Sequence, residues 1–185
     1  MLISIKDLRF RKNVLDFQKE FPPEAFDLGT DVRATSPVKA EGRATLIEEH
    51  TGNKGTLDDI RIAGKLSADL EILCARCLEP VQYPIQREYD LLYRPAGSDV
   101  GEKEVELQDK DAAISYYEDD SLELEDVLRE QMLLEVPIKT VCTEECKGLC
   151  PHCGRNLNTG ECECEQAAVD PRWEALKGLK DKLQK

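Results

Sequence analysis

The chain has 185 residues, 41% of them apolar, and a formal net charge of −13. That length fits one or two small domains with a buried core, and no apolar run approaches the roughly 20 residues that span a bilayer, so a soluble protein is expected. Residues 98–130 hold thirteen Asp/Glu against Lys103, Lys110 and Arg129, a local charge of −10 that leaves only −3 for the rest; the acidity therefore does not exclude RNA contact, although no basic patch announces it.

Residues 2–10 (LISIKDLRF) read as a first strand, and residues 13–21 (NVLDFQKEF) as a short amphipathic segment ended by Pro22-Pro23. The clearest periodicity follows. Ile60, Ile62, Leu66, Ala68, Leu70 and Ile72 alternate with mostly polar neighbours, which predicts a long antiparallel strand with one buried face. Val38 to Ile47 alternate more weakly, with Gly52-Asn53-Lys54-Gly55 as the connecting turn, and Val81, Tyr83, Ile85, Tyr89, Leu91 and Tyr93 mark a third strand. The middle strand is thus shared by two hairpins, and Cys74-Ala75-Arg76-Cys77 falls at the tip of the second.

Residues 98–120 are acidic and weakly patterned, as in a linker or mobile loop. Ser121 is the expected N-cap of a helix in which Leu124, Val127, Leu128 and Met132 share one side, and Leu134-Glu-Val-Pro137 ends it. Beyond residue 165, Asp170-Pro171 opens a terminal helix with an apolar stripe (Trp173, Leu176, Leu183) and five basic residues, Arg172, Lys177, Lys180, Lys182 and Lys185.

Six of the eight cysteines lie between Cys142 and Cys164. Together with Cys74/Cys77 they form four close pairs: Cys142/Cys146, Cys150/Cys153 and Cys162/Cys164 are the others. Paired thiolates on tight turns are what a tetrahedral zinc ion requires, and two pairs close one structural site. In Cys150-Pro151-His152-Cys153-Gly154, proline fixes one φ and glycine takes the positive φ that turns the chain back. The short Asn156–Gly160 loop lets Cys162 and Cys164 close on that knuckle at little entropic cost. By elimination Cys142 and Cys146 then meet Cys74 and Cys77, tying the two halves of the chain together; the competing arrangement puts one zinc among the six C-terminal cysteines and leaves Cys74 and Cys77 out. Disulfides would also suit an even number of cysteines, but no export signal follows Met1, so a reducing cytosol and two zinc ions per chain are expected. Iron–sulfur ligation is the weaker alternative.

Cys74-x-Arg76-Cys77-Leu78, the helix running into Leu134-Glu-Val-Pro137, Val141-Cys142, Cys146-Lys-Gly-Leu-Cys150-Pro-x-Cys153-Gly-x-Asn156-Leu-Asn158 and Asp170-Pro-Arg-Trp-x-x-Leu176 together resemble the YceD family, the large ribosomal RNA subunit accumulation proteins. The resemblance implies a cytoplasmic bacterial factor, with chloroplast relatives, needed for synthesis, processing or stability of large-subunit (23S) ribosomal RNA. It implies no chemistry. The residues agree. A hydrolytic zinc site keeps one position open, whereas eight thiolates saturate two ions, and no Ser/His/Asp set, P-loop or dinucleotide fingerprint is present. The two histidines, His50 and His152, read as exposed side chains.

The expected fold class is α+β: an antiparallel β-sheet or partly open barrel with a covering helix, a C-terminal cysteine-rich zinc-knuckle module and a terminal helix. The expected boundaries are 1–97 for the β domain, 98–120 for the acidic linker, 121–137 for the helix, 138–165 for the zinc module and 166–185 for the basic helix. The expected function is non-enzymatic, a zinc-stabilised module that presents a rigid surface to pre-ribosomal RNA or to a large-subunit assembly or processing protein. Arg76, Lys139, Lys147 and Arg155 are the expected phosphate contacts, with Asn156 and Asn158 adding hydrogen bonds. The alternative is a protein-only adaptor that recruits a ribonuclease or ribosomal protein through the acidic segment.

Overall fold

The structure, a computed structural model, describes residues 1–50, 56–98 and 114–164. The turn expected at 52–55, most of the acidic segment and the terminal helix expected at 166–185 lie outside the described residues. The chain divides into two compact units, the first made of residues 1–75 and 79–142, the second of residues 76–78 and the chain from 143 onward.

The first unit is built on three long strands, β4 (Val38–His50), β5 (Thr56–Leu73) and β6 (Pro80–Pro95). They form an antiparallel meander in which Lys39 to His50 pair with Ser67 to Thr56, and Ile60 to Leu73 pair with Tyr93 to Pro80. The alternation of β5 holds throughout: Ile60, Ile62, Leu66, Ala68, Leu70 and Ile72 are all buried. On the opposite face, Arg61–Asp90 and Lys65–Glu88 pair across strands at 2.5 and 2.6 Å. Such exposed pairs add little stability, but they keep that face wet and oppose a one-residue slip.

Further strands complete the fold. β2 (Val14–Phe21) lines the outer edge of β4, and β3 (Val32–Ala34) pairs with Ile72 to Leu70 of β5, beyond the end of the β4 pairing. Pro37 cannot donate to the ladder, and between β3 and β4 the Ser36 hydroxyl instead accepts from the backbone N–H of Asp69 at 2.9 Å. β7 (Ile114–Tyr117) runs parallel to β6; it is held by the Tyr117 hydroxyl donating to the Asp58 carbonyl at 2.6 Å, next to the buried Asp59–Arg94 pair at 2.9 Å. β1 (Leu2–Ser4) pairs with β8 (Ser121–Glu123) in a small separate sheet. The large sheet is therefore open and mixed, mostly antiparallel, and not a closed barrel.

One row across the meander has no side chain at its centre. Phe17, Gly42, Gly64 and Tyr89 are successive register partners on β2, β4, β5 and β6. A Cβ at Gly42 would lie 2.5 Å from the Ala63 carbonyl oxygen and 2.9 Å from the Phe17 ring, and one at Gly64 would lie 2.4 Å from the Glu41 oxygen and 2.9 Å from the Tyr89 hydroxyl. The two backbones approach too closely for any β-carbon, and the flanking rings cover the gap, as aromatic residues do beside sheet glycines. The Tyr89 hydroxyl is buried without a hydrogen-bond partner among the described residues, and burial pushes its pKa up to about 12.

Two helices cover the buried face. α2 (Leu124–Glu135) packs on β6 through Leu124, Val127, Leu128 and Met132, and its buried Gln131 accepts from the Arg87 guanidinium at 2.9 Å. Two departures from sequence expectation occur here. Residues 5–10 leave the first strand as α1 (Ile5–Phe10), because the Ser4 hydroxyl accepts from the Asp7 N–H and stops the ladder. The amphipathic segment expected at 13–21 is met by β2, whose Phe17 and Phe21 are buried. Ser121 is not a helix cap: it belongs to β8, and the helix starts from Glu123, which makes no side-chain capping bond. In addition, β7 occupies residues expected to be linker.

Among its described residues, the second unit carries little regular structure. Its chain is held by a Leu149–Asn156 bridge and by the Leu157 N–H donating to the Gly148 carbonyl at 2.9 Å.

Candidate metal centres

The eight cysteines gather into two groups of four, Cys74/Cys77/Cys142/Cys146 and Cys150/Cys153/Cys162/Cys164, and within each group all four Sγ atoms lie within 4.8 Å of one another. No disulfide joins any of them. Tetrahedral bonds of about 2.3 Å to one ion would set the sulfurs about 3.8 Å apart, so both groups are the size of a four-thiolate metal site. The pairing expected by elimination is the one found, and the arrangement that leaves Cys74 and Cys77 out is not.

Backbone geometry builds the C-terminal group. Cys150 N–H donates to the Arg155 carbonyl at 2.8 Å, Gly154 N–H returns to the Cys150 carbonyl at 2.9 Å, and His152 N–H points at the Cys150 sulfur at 3.4 Å. Gly154 takes φ +71°, as the knuckle requires. The following loop is pinned by Asn156, whose side-chain oxygen accepts from the Asn158 backbone at 3.0 Å. N–H groups of Cys153 and His152 draw the Cys150 thiol down to about 6. Cys164 goes the other way, pushed up to about 12 chiefly by its hydrogen bond with Cys153 and then by burial. Four thiols this close cannot all ionise without a cation among them.

The other group begins where β5 ends. Cys74 N–H donates to the Glu79 carbonyl at 2.9 Å across the hairpin tip, and Cys142 N–H points at the Cys74 sulfur at 3.4 Å. Cys146 closes a turn through its N–H to the Thr143 carbonyl at 3.1 Å, and its sulfur accepts from the Asn158 amide at 3.2 Å. N–H donors aimed at sulfur favour the anionic form, which is the form that binds metal. Leu78, one residue after Cys77, occupies the place Gly154 has after Cys153, and adopts φ +60° without a glycine's freedom.

The glycines of this unit make a paired test. Gly148 (φ +76°) and Gly154 (φ +71°) both need the left-handed region, but a Cβ at Gly148 would also lie 3.1 Å from the Arg76 carbonyl, whereas one at Gly154 meets nothing within 4 Å. Gly154→Ala is expected to cost about 1 kcal/mol of conformational strain, and Gly148→Ala distinctly more. Thermal melting of the two variants measures the difference, and equal losses would show that the crowding at Gly148 plays no part.

A family model for large ribosomal RNA subunit accumulation protein YceD matches residues 62–180, which includes all eight cysteines. The chain belongs to the YceD family. Among its relatives, YlbN of Bacillus subtilis is 30% identical over 157 residues, covering 84% of this chain and 81% of that protein. The chloroplastic large ribosomal RNA subunit accumulation protein YCED homolog 1 of Zea mays is 26% identical over 170 residues, 78% of this chain and 57% of the maize protein. Its Arabidopsis thaliana counterpart is 35% identical over 57 residues, 31% of this chain and 18% of that protein. No solved structure matches.

In this YceD-family chain the residues expected to meet phosphate divide into two kinds. Lys139 and Lys147 are exposed and carry no ion pair among the described residues. Arg76 is also exposed, and its guanidinium donates to the carbonyls of Glu144 and Cys146, both at 2.9 Å. Arg155 donates to the Glu161 carbonyl at 3.2 Å. Asn156 and Asn158, expected at an RNA surface, are used inside the loop: the Asn158 side chain accepts from Lys147 N–H at 2.8 Å and donates to the Cys146 sulfur. The sequence holds a sign of this in the Asn-x-Asn spacing, which suits an Asx turn. His152 is exposed, as expected of an outward side chain.

Proposed function

We propose that this protein is a non-enzymatic cytoplasmic factor in large-subunit (23S) ribosomal RNA accumulation, a metal-stiffened module that presents a fixed surface to pre-ribosomal RNA. Cys74, Cys77, Cys142 and Cys146 hold one zinc ion, and Cys150, Cys153, Cys162 and Cys164 the other. The observation that carries this reading is the use of all eight thiols in two four-sulfur groups: an ion so held has no open position for water or substrate. Thiolate ligands and N–H···S bonds favour zinc over harder cations. Zinc supplies cross-linking here, and the side chains do the rest by holding loops in register. Membership of a family described by ribosomal RNA accumulation supports the RNA partner.

The test is a gel-shift of the zinc-loaded protein with pre-ribosomal RNA fragments over a salt series. Expected is an affinity that falls with salt in proportion to the phosphates neutralised. Absence of binding, or binding without a salt slope, removes direct RNA contact and leaves a protein partner, which a pull-down surviving nuclease treatment would reveal.

A further inference from the structure

We propose that the tip formed by the end of α1 and the turn into β2 is a binding site for single-stranded RNA, in which Phe10 stacks on an unpaired base while Lys6, Arg11 and Lys12 meet the flanking phosphates. The inference rests on the RNA reading above and gives it a location on the first unit.

Phe10 is 91% exposed, the most exposed aromatic ring among the described residues. It makes no ring contact with another aromatic residue among the described residues, and burial of α1 is already supplied by Ile5 and Leu8. Leaving a phenyl ring in water forgoes the stabilisation its burial would give, and the helix gains nothing from it. Cations surround it. Lys6 lies one turn before Phe10 and so shares its face, while Arg11 and Lys12 follow directly. Arg9 is committed elsewhere, to Asp58 at 2.8 Å, and Asp7 is held by the Ser4 hydroxyl at 2.8 Å, whereas Lys6, Arg11 and Lys12 have no ion pair among the described residues. In a chain of net charge −13, residues 6–12 carry four basic side chains and one acidic one. A helix C-terminus favours cations by itself, which accounts for Arg11 and Lys12. It does not account for an exposed phenyl ring among them.

The turn behind the ring is held by backbone bonds. Lys12 and Asn13 both lie in the left-handed region, at φ +59° and +66°, a costly conformation for residues other than glycine. Asn13 N–H is bonded to the Leu8 carbonyl at 2.8 Å, and its own carbonyl accepts from Leu46 N–H at 2.9 Å. An exposed ring with uncompensated cations beside it is the arrangement that binds unpaired nucleotides, because every base offers a stacking face and phosphates follow at fixed spacing. A duplex hides its base faces and offers only phosphates.

The test uses the full chain, zinc-loaded, and fluorescence anisotropy with a labelled single-stranded RNA of mixed sequence about 12 nucleotides long, within the span of one such site, its duplex, and poly-glutamate. Phe10→Ala is expected to weaken single-strand binding about tenfold with little effect on the duplex, and the melting temperature should not move. Arg11→Gln with Lys12→Gln should lower the salt slope by about 1.4, or about 0.7 for each phosphate left without its cation. If the wild type binds single strands and Phe10→Ala binds equally well, the tip is not the site, and RNA contact itself stands. If the wild type binds no RNA of either form, both readings fail. A loss on Phe10→Ala directed at poly-glutamate instead of RNA would replace the nucleic acid by an acidic protein partner.

Discussion

Replacing Cys77 by serine is expected to reduce the zinc content of the purified protein from two ions per chain to one. Cys77 is buried at the hairpin tip, and its sulfur lies within 4.8 Å of those of Cys74, Cys142 and Cys146. A hydroxyl there is not an anion at neutral pH and is a poor zinc ligand, so the site keeps three thiolates and the ion is held weakly or released. The remaining thiols, two of them buried, then reprotonate, and the Cys142 N–H and the Asn158 amide face neutral sulfur. Structural metal binding is folding free energy, so the stability loss should reach on the order of 4 kcal/mol. For a chain of this size that is a fall in melting temperature of about 10 °C. Elemental analysis and a thermal melt check both numbers together. Two ions retained in the variant would dismantle the assignment, and an unfolded variant with one ion would uphold the site while showing that the fold cannot form without it.

Gly64→Val should be as damaging, for a reason unrelated to metal. Even the first atom of any side chain at Gly64 falls 2.4 Å from the Glu41 carbonyl oxygen, a backbone atom that cannot swing aside, and 2.9 Å from the Tyr89 hydroxyl. Valine adds two more carbons on the buried face. Strands β4 and β5 would have to separate at the centre of the meander, breaking ladder bonds on both sides, and a loss of roughly 4 kcal/mol or more is expected. Gly64→Ala should show most of the effect, because the clash is already complete at Cβ. A Tyr89→Phe change made alone removes only an unpartnered hydroxyl and should be neutral or mildly stabilising. Denaturant melts of the three variants separate backbone crowding from loss of the ring's cover: if Gly64→Ala melts like the wild type, the strands have room that the register does not reveal.

Much of this architecture is legible in the sequence. The long alternation of β5 has one physical source, a strand buried on one face, and from Ile60 to Ile72 it admits no second interpretation. The cysteine pairs are equally legible, since close spacing on turns fixes which sulfurs travel together; the grouping of pairs follows from loop length at Cys150–Cys164 and from elimination elsewhere. The opening of the chain misleads. Leu2 to Phe10 alternates loosely enough for a strand, whereas the decisive signal is local, Ser4 with Asp7 three residues on, a capping pattern that halts pairing. β7 is hidden because its pairing with β6 is parallel and non-local, so nothing within Ile114–Tyr117 reports it. Asn156 and Asn158 suit outward roles on chemistry alone; their Asn-x-Asn spacing signals a turn, but which groups the Asn158 amide meets, Lys147 N–H and the Cys146 sulfur, is set by the geometry of the loop.

The small sheet of β1 and β8 joins residues 2–4 to 121–123. During translation, therefore, the first strand emerges with no partner and must wait until Ser121 to Glu123 have been made, while the β4–β5–β6 meander can close as soon as Pro95 clears the ribosome. The nascent chain then spends that interval with Ile3 uncovered and one strand edge unsatisfied. Closure of this small sheet is thereby deferred until β8 has been made, which sets it after the meander and just ahead of α2.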